Sequence, residues 1–239
     1  MEHIVIGIEG LVGCGKTSIC RELLQKIPNS IVIHGGNLYR AIVYALMQAN
    51  KELSKNMKNL KENVEHIDIK KVMDLLQVEI KIENRETVIY VAGKKIEEEK
   101  LQSKEASMAV SVAGGSADNT NLFIFARNLI NEFKEKYNVI LSGRALNTIY
   151  PEINYHFLLT ASLEERVKRK AIQYGENTNL KELKEHIKIR DELQEKAGFY
   201  NMGENTIKVD VTDCKSAEES TEKLCEYIKE LREVSYGIF

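Results

Sequence analysis

Several absences bound what this 239-residue chain can be. No apolar stretch approaches the roughly 20 residues of a membrane-spanning helix, so no membrane partner is expected. The four cysteines, Cys14, Cys20, Cys214 and Cys225, form no C-x-x-C pair and no zinc spacing, which points to reduced thiols in a cytoplasmic protein. Basic residues hold no majority. Lys+Arg 34 stand against Asp+Glu 36, a formal charge of -2, which argues against a general nucleic-acid binder while leaving room for a local basic cleft. There are no internal repeats and no low-complexity segment. A signal peptide is not expected, because the first apolar run is interrupted by Glu9 and feeds straight into a glycine loop. What is present is the composition of a globular domain, hydrophobic 43% and charged 29%. The length suits one domain or a core with a smaller lobe.

The glycine loop organises the rest. Gly10-Leu11-Val12-Gly13-Cys14-Gly15-Lys16-Thr17 fits G-x-x-x-x-G-K-[ST], the phosphate-cradling P-loop. Its context fits too. Ile4-Val5-Ile6-Gly7-Ile8 reads as a buried strand, and Ile19, Leu23, Leu24 and Ile27 recur at helical spacing after it. Glycines let successive N–H groups turn inward on phosphate oxygens, and the helix beginning near Lys16 adds its positive end. The triphosphate site is therefore expected at Gly10, Gly13, Cys14, Gly15, Lys16, Thr17 and Ser18. Lys16 reaches the terminal phosphates, and the Thr17 hydroxyl holds Mg²⁺ with Glu9 as a further metal candidate. ATP and Mg²⁺ are the expected cofactors. Cys14 is read as a small residue filling an x position.

Strands are expected at Ile31–Ile33, Asn138–Leu141, Tyr155–Leu159 and Thr206–Val209, alternating with helices. That alternation predicts an α/β fold, a parallel sheet flanked by helices. Between them the period changes. Val78–Ile82 and Thr87–Val91 alternate around Asn84-Arg85-Glu86, a β-hairpin signal, with a further helix at 67–76. The expected division is a core of 1–50 and 116–239 and an inserted lobe at 51–115, and a capping box at Ser162 and Glu165 opens a later helix.

A P-loop holds only a phosphoryl donor, so the acceptor is sought among groups that neutralise phosphate. Tyr39-Arg40, Arg127, Gly143-Arg144 and the cluster Arg166, Arg169, Lys170, Arg190 and Asp191 stand out. Arg144 follows a strand and a glycine, where open α/β sheets bind ligands. Together these segments resemble the cytidylate kinase family of P-loop nucleoside-monophosphate kinases. Gly36-Asn37-Leu38-Tyr39-Arg40-Ala41 is similar to its T-G-x-x-Y-R-A segment, Ser142-Gly143-Arg144 to its G-R-D, Leu159–Lys170 to the run opening its lid, and Ile189–Glu192 to the R-D-E closing it. The hairpin insert and a helix at 105–113 are similar to its monophosphate-binding lobe, which makes 51–115 the expected acceptor-binding lobe and about 163–190 the expected lid, and the likeness runs from about residue 3 to 230. It implies transfer from ATP to CMP or dCMP by a monomer. Lys16, Arg144, Arg166, Arg169 and Arg190 would surround the transferring group, with Tyr39, Arg40, Arg127, Arg144 and Asp191 at the acceptor.

The chain departs from that pattern at His34 (usually Asp), Gly35 (Thr or Ser), Ser142 and Ala145 (acids), Gln194 (Asp) and Ala197 (Arg). His34 is read as structural, and Asp191 as orienting Arg190 rather than acting as a base. Losing groups that read one substrate relaxes discrimination. Three readings stay open: a nucleoside-monophosphate kinase, a P-loop kinase acting on another small-molecule hydroxyl, and a non-catalytic ATP-binding module.

Overall fold

The computed structural model describes residues 3–41, 73–74, 77–97, 101, 120–200 and 202–236. The expected helix at 105–113 lies outside them, as does that at 67–76 apart from a helical 73–74. The chain runs β1 (Val5–Gly10), α1 (Lys16–Lys26), β2 (Ser30–His34), a helical stretch α2 (35–41), β3 (Val78–Glu83), β4 (Glu86–Val91) and β5 (Lys94–Lys95). It continues through α3 (Thr120–Lys134), β6 (Asn138–Ser142), the short α4 (Leu146–Ile149), β7 (Tyr155–Thr160), α5 (Leu163–Tyr174), α6 (Leu180–Lys196), β8 (Thr206–Asp210) and α7 (Ala217–Tyr236). Among the described residues one sheet has the order β3-β4-β2-β6-β1-β7-β8, with β5 added to β4.

β1 is parallel to both its neighbours, β6 and β7, and all six of its residues are buried. A central strand with helices on both faces demands that unbroken apolar run. Its side chains alternate between two cores. Ile6 and Ile8 pack with Ile19 and Leu23 of α1 and with Leu224 and Ile228 of α7. Val5 packs on the other face with Ile31, Ile33, Ile130 and Leu146. The chain crosses from β1 to β2 over β6, while β7 and β8 lie on the opposite side. Such a switch leaves a crevice at the strands' carboxyl ends.

The expected hairpin is present, and its attachment is a finding. Asn84 (φ 49) and Arg85 (φ 67) both take the left-handed conformation that a two-residue turn matching strand twist requires. The Arg85 guanidinium donates to the carbonyls of Ser30 at 2.9 Å and Ile27 at 3.1 Å, and to the Ser30 hydroxyl at 2.7 Å. β4 joins β2 in parallel at Val32 and Glu86. Expected within the inserted lobe, the hairpin is thus continuous with the core sheet. Satisfying three oxygens at the α1–β2 turn is what holds it there.

The residues expected to form a lid fall on the helix pair α5 and α6. Ser162 caps α5, its hydroxyl accepting from the Glu165 N–H at 3.3 Å. The reciprocal half of the capping box is not made, because the Ser162 N–H donates to the Thr212 hydroxyl and the Glu165 carboxylate takes Arg169 instead. Val12 of the glycine loop packs with Val167, Leu183 and Ile187, so loop and lid share a small core.

Candidate active site

The loop after β1 has the cradle that its glycines imply. Gly15 (φ 88) begins α1 with no side-chain cap, leaving the helix N-terminal N–H groups open. A Cβ on Gly13 (φ 87) would stand 2.9 Å from the Arg166 carbonyl oxygen, so only glycine lets the loop pass under the lid. The Lys16 ammonium donates to the carbonyls of Gly10 at 2.8 Å and Leu11 at 3.0 Å. Burial, with Arg144 and Arg190 nearby, drives its pKa well below the ordinary lysine value. A dehydrated ammonium on two neutral oxygens is poised to take an anion.

The loop opens into a cleft of about 1000 Å³. Eight basic side chains line it: Lys16, Arg21, Arg40, Arg144, Arg169, Lys170, Arg190 and Lys215. No carboxylate does, among the described residues. On a chain of net charge -2 this is a strong local segregation of charge, and it selects a polyanion. Arg144 donates through Nε to the Gln194 amide oxygen and through Nη1 to the Gly143 carbonyl. Arg190 is largely withdrawn from water, which lowers its pKa with Arg144 adding to the effect, and its Nε has no hydrogen-bond partner among the described residues. Burial, then Arg190 and Arg40, bring Lys170 down to about 8. Arg40 donates to the Asn37 side chain at 3.0 Å, and Tyr39 is also on the lining. Phe123, Ala126, Leu129 and Ile149 add apolar surface to it.

Other expected site residues face elsewhere. Glu9 is buried, its carboxylate oxygen Oε1 accepting from the Leu146 N–H at 2.5 Å and from His156 Nε2 at 3.1 Å, which ties β1 to the start of α4. Arg166 is buried against the Ala161 and Val12 carbonyls and the Asp191 carboxylate. Asp191 also accepts from the Val12 N–H at 3.3 Å. Arg166 and Asp191 therefore clamp the glycine loop to the lid helices and do not line the cleft, and Asp191 orients Arg166 rather than Arg190. Arg127 is turned to the carbonyls of Ile149 and Thr148, ending α4. Gly10 lies beneath the loop, where a Cβ would come 2.5 Å from the Leu159 oxygen. Arg169 does line the cleft, but its guanidinium is shared among Glu165 and the Val211 and Cys214 carbonyls. Cys14 lines it too, and burial pushes its thiol pKa up, in keeping with a filler.

His34 Nε2 donates at 2.8 Å to the Glu86 carboxylate of the hairpin, which also accepts from Arg21 at 2.8 Å. Burial alone would raise the Glu86 pKa, yet the bonds from His34 and Arg21 outweigh it and hold the carboxyl at about 2. Ala145 sits left-handed (φ 53) at the start of α4, with Glu9 supplying the acceptor there. Gln194, noted in sequence only as a departure, and Tyr200, unsignalled because it lies beyond α6, both contact Arg144. The only hint of Tyr200 is its nearness to the R-D-E run.

A triphosphate fits this cradle: the open helix N-terminus, the bared Lys16 and the cation lining all answer to phosphate. A divalent cation finds the Thr17 hydroxyl, but no cluster of three or more acidic, His or Cys side chains exists to hold one among the described residues. It fits a cation that arrives on phosphate oxygens.

A glycine loop ending the central strand, opening on a basic cleft under a two-helix lid, defines a P-loop phosphotransferase. The cytidylate kinase family model matches residues 6–230, and the chain belongs to that family of ATP-dependent phosphotransferases. The cytidylate kinase of Halalkalibacterium halodurans is 25% identical over 236 residues, covering 96% of this chain and 99% of that protein. The cytidylate kinase of Clostridium botulinum is 28% identical over 235 residues, covering 96% and 99%. Among solved structures, the shikimate kinase of Bacteroides thetaiotaomicron is 14% identical, covers 95% of this chain and 98% of that one, and gives a TM-score of 0.43, too slight to bear on substrate. No described helix is long and apolar enough to cross a membrane.

Proposed function

We propose that the protein transfers the terminal phosphoryl group of ATP to a nucleoside monophosphate, with CMP and dCMP as the acceptors. The observation that carries this is a cleft lined by eight cations and, among the described residues, no carboxylate. A hydroxyl acceptor would gain from a general base. A phosphate acceptor is already anionic and needs only charge stabilisation and alignment. Among the described residues the one imidazole on the lining, His34, has its Nε2 engaged by Glu86. The choice of cytosine rests on family membership and on the names of the full-length relatives.

Loop N–H groups and Lys16 hold the donor phosphates, Lys16 exchanging two carbonyls for phosphate oxygens. The Thr17 hydroxyl would hold Mg²⁺, which would supply neutralisation of part of the phosphate charge. Arg144 and Arg190 face the transferring group, both within Coulomb range of Lys16. Arg40 and Lys170 lie beside Arg190 and receive the acceptor phosphate, guanidinium geometry favouring bidentate contact. Closing α5 and α6 over the loop excludes water and suppresses ATP hydrolysis.

The test is coupled ADP release with ATP and Mg²⁺ against CMP, dCMP, UMP, AMP, GMP and no acceptor. Stimulation by CMP or dCMP is expected, and Lys16→Ala is expected to abolish it with the fold intact. Silence across the panel by a protein that still binds ATP would overturn the acceptor assignment.

A further inference from the structure

Gln194 of α6 lines the cleft and is 8% exposed. Its amide oxygen is used twice inside the protein, accepting from Arg144 Nε at 2.9 Å and from the Tyr200 hydroxyl at 2.5 Å. Because Arg144 Nε can only donate, the amide must present oxygen there. The Tyr200 ring lies beneath the guanidinium, 5.8 Å from its carbon. The remaining contact of Arg144 is the Gly143 carbonyl. Every one of these partners is neutral. Elsewhere the same chain pairs its arginines with carboxylates, Arg166 with Asp191 and Arg21 with Glu86.

We propose that Gln194 and Tyr200 are positioning residues that aim Arg144 into the cleft while leaving its whole charge for a bound phosphate. This rests on the phosphotransfer reading of the same site. A carboxylate of Gln194's shape would make the same hydrogen bond, but it would neutralise the guanidinium in a poorly hydrated cleft, where charge stabilisation counts most. A purely apolar residue would leave the charge and lose the aim. Burial pushes the Tyr200 pKa up to about 12, so its hydroxyl remains a neutral donor at working pH.

The experiment compares the full chain with Gln194→Glu, Gln194→Met and Tyr200→Phe. It measures binding of inorganic tripolyphosphate by calorimetry, kcat and KM with ATP and the best acceptor, and melting temperature. Gln194→Glu is expected to bind tripolyphosphate at least ~10-fold more weakly, from the lost charge-assisted contact. Gln194→Met should stay within about 3-fold in binding yet lose roughly 10-fold in kcat through misaligned Arg144. Tyr200→Phe should lose about 3-fold in kcat with binding and melting unchanged. Wild-type binding by Gln194→Glu, or equal weakening by Gln194→Met, would overturn the proposal, since a packing role would not separate the two. Should Gln194→Glu fail to fold, a wild-type kcat in Tyr200→Phe overturns it alone. Absent turnover by the wild type, with the binding order intact, would sink the kinase reading and leave this one standing.

Discussion

Removing the Asp191 carboxylate should loosen the anchorage of the glycine loop rather than acceptor binding. In sequence Asp191 is a candidate acceptor residue. In the structure it is 19% exposed in its side chain and faces Arg166, which is 7% exposed, at 2.5 Å. It also accepts from the N–H of Val12. Asp191→Ala would strand a buried guanidinium and a loop N–H together. Breaking a buried pair by deleting one partner costs about 3–5 kcal/mol. The lower figure applies here, because Arg166 keeps its bonds to the Ala161 and Val12 carbonyls. At roughly 2–4 °C per kcal/mol for a chain of this size, about 3 kcal/mol lowers the melting temperature by about 6–12 °C.

The assay is thermal unfolding followed by circular dichroism, beside KM for acceptor and for ATP. The double variant Arg166→Met with Asp191→Leu should recover much of the loss, since a well-packed apolar pair replaces both charges without leaving either alone. KM for ATP should rise with Asp191→Ala, because the glycine loop loses its tie to α6. A melting temperature within 2 °C of wild type, with only the acceptor KM raised, would refute the clamp and restore the acceptor role.

Two further outcomes follow from the same geometry. Lys170, held at about 8 beside Arg190 and Arg40, is half neutral at that pH, and a bound phosphate re-protonates it. Ligand binding should therefore take up protons near pH 8 and weaken as pH rises above it, measured as a buffer-dependent binding enthalpy that Lys170→Met removes. The sign for folding is the reverse, since the unfolded lysine holds its proton up to its ordinary pKa: this group's contribution to stability rises with pH from about 8 upward. Glu9→Ala should cost about 1–3 kcal/mol by leaving the Leu146 N–H and His156 without their acceptor. The Mg²⁺ concentration giving half-maximal rate should not move, and a large increase would return Glu9 to the metal.

What could be read from the sequence and what could not divide along the range of the interaction. The glycine loop, the strands and the hairpin announce themselves through neighbours: a motif eight residues long, an alternation, a turn pair able to go left-handed. Each proved to be where its local signal put it, with ends shifted by a residue or two. The arginines carry less of it. Arg144 is set apart by the strand and glycine before it, but Arg166, Arg169 and Arg190 look alike in sequence, all in the run expected to form the lid and all suited to phosphate. Their fates differ because of partners far along the chain. Arg166 meets Asp191 and the Val12 carbonyl and becomes structural, and Arg169 is shared with carbonyls after β8. Arg144 meets a neutral amide and Arg190 no partner for its Nε among the described residues, so both keep charge for the cleft. Glu9 likewise meets its donors, the Leu146 N–H and His156, over a hundred residues along the chain, which no local pattern announces.

The substitutions that set this chain apart fall under the same rule. Read one at a time, an acid missing at Ala145 and another at Gln194 suggest a damaged site. In three dimensions Glu9 supplies the acceptor at the start of α4, and the Gln194 amide keeps the hydrogen bond to Arg144 while withholding the charge. The Glu86 carboxylate near the cleft is consumed by His34 and Arg21. Among the described residues two lining cations are drawn onto carboxylates, Arg21 onto Glu86 and Arg169 onto Glu165, whereas Arg144 meets only neutral oxygens. A phosphate entering the cleft therefore finds in Arg144 a guanidinium with its charge unspent, and excluding water would strengthen that contact. The charge pattern, rather than any single motif residue, is what makes the divergent site a phosphate-transfer site.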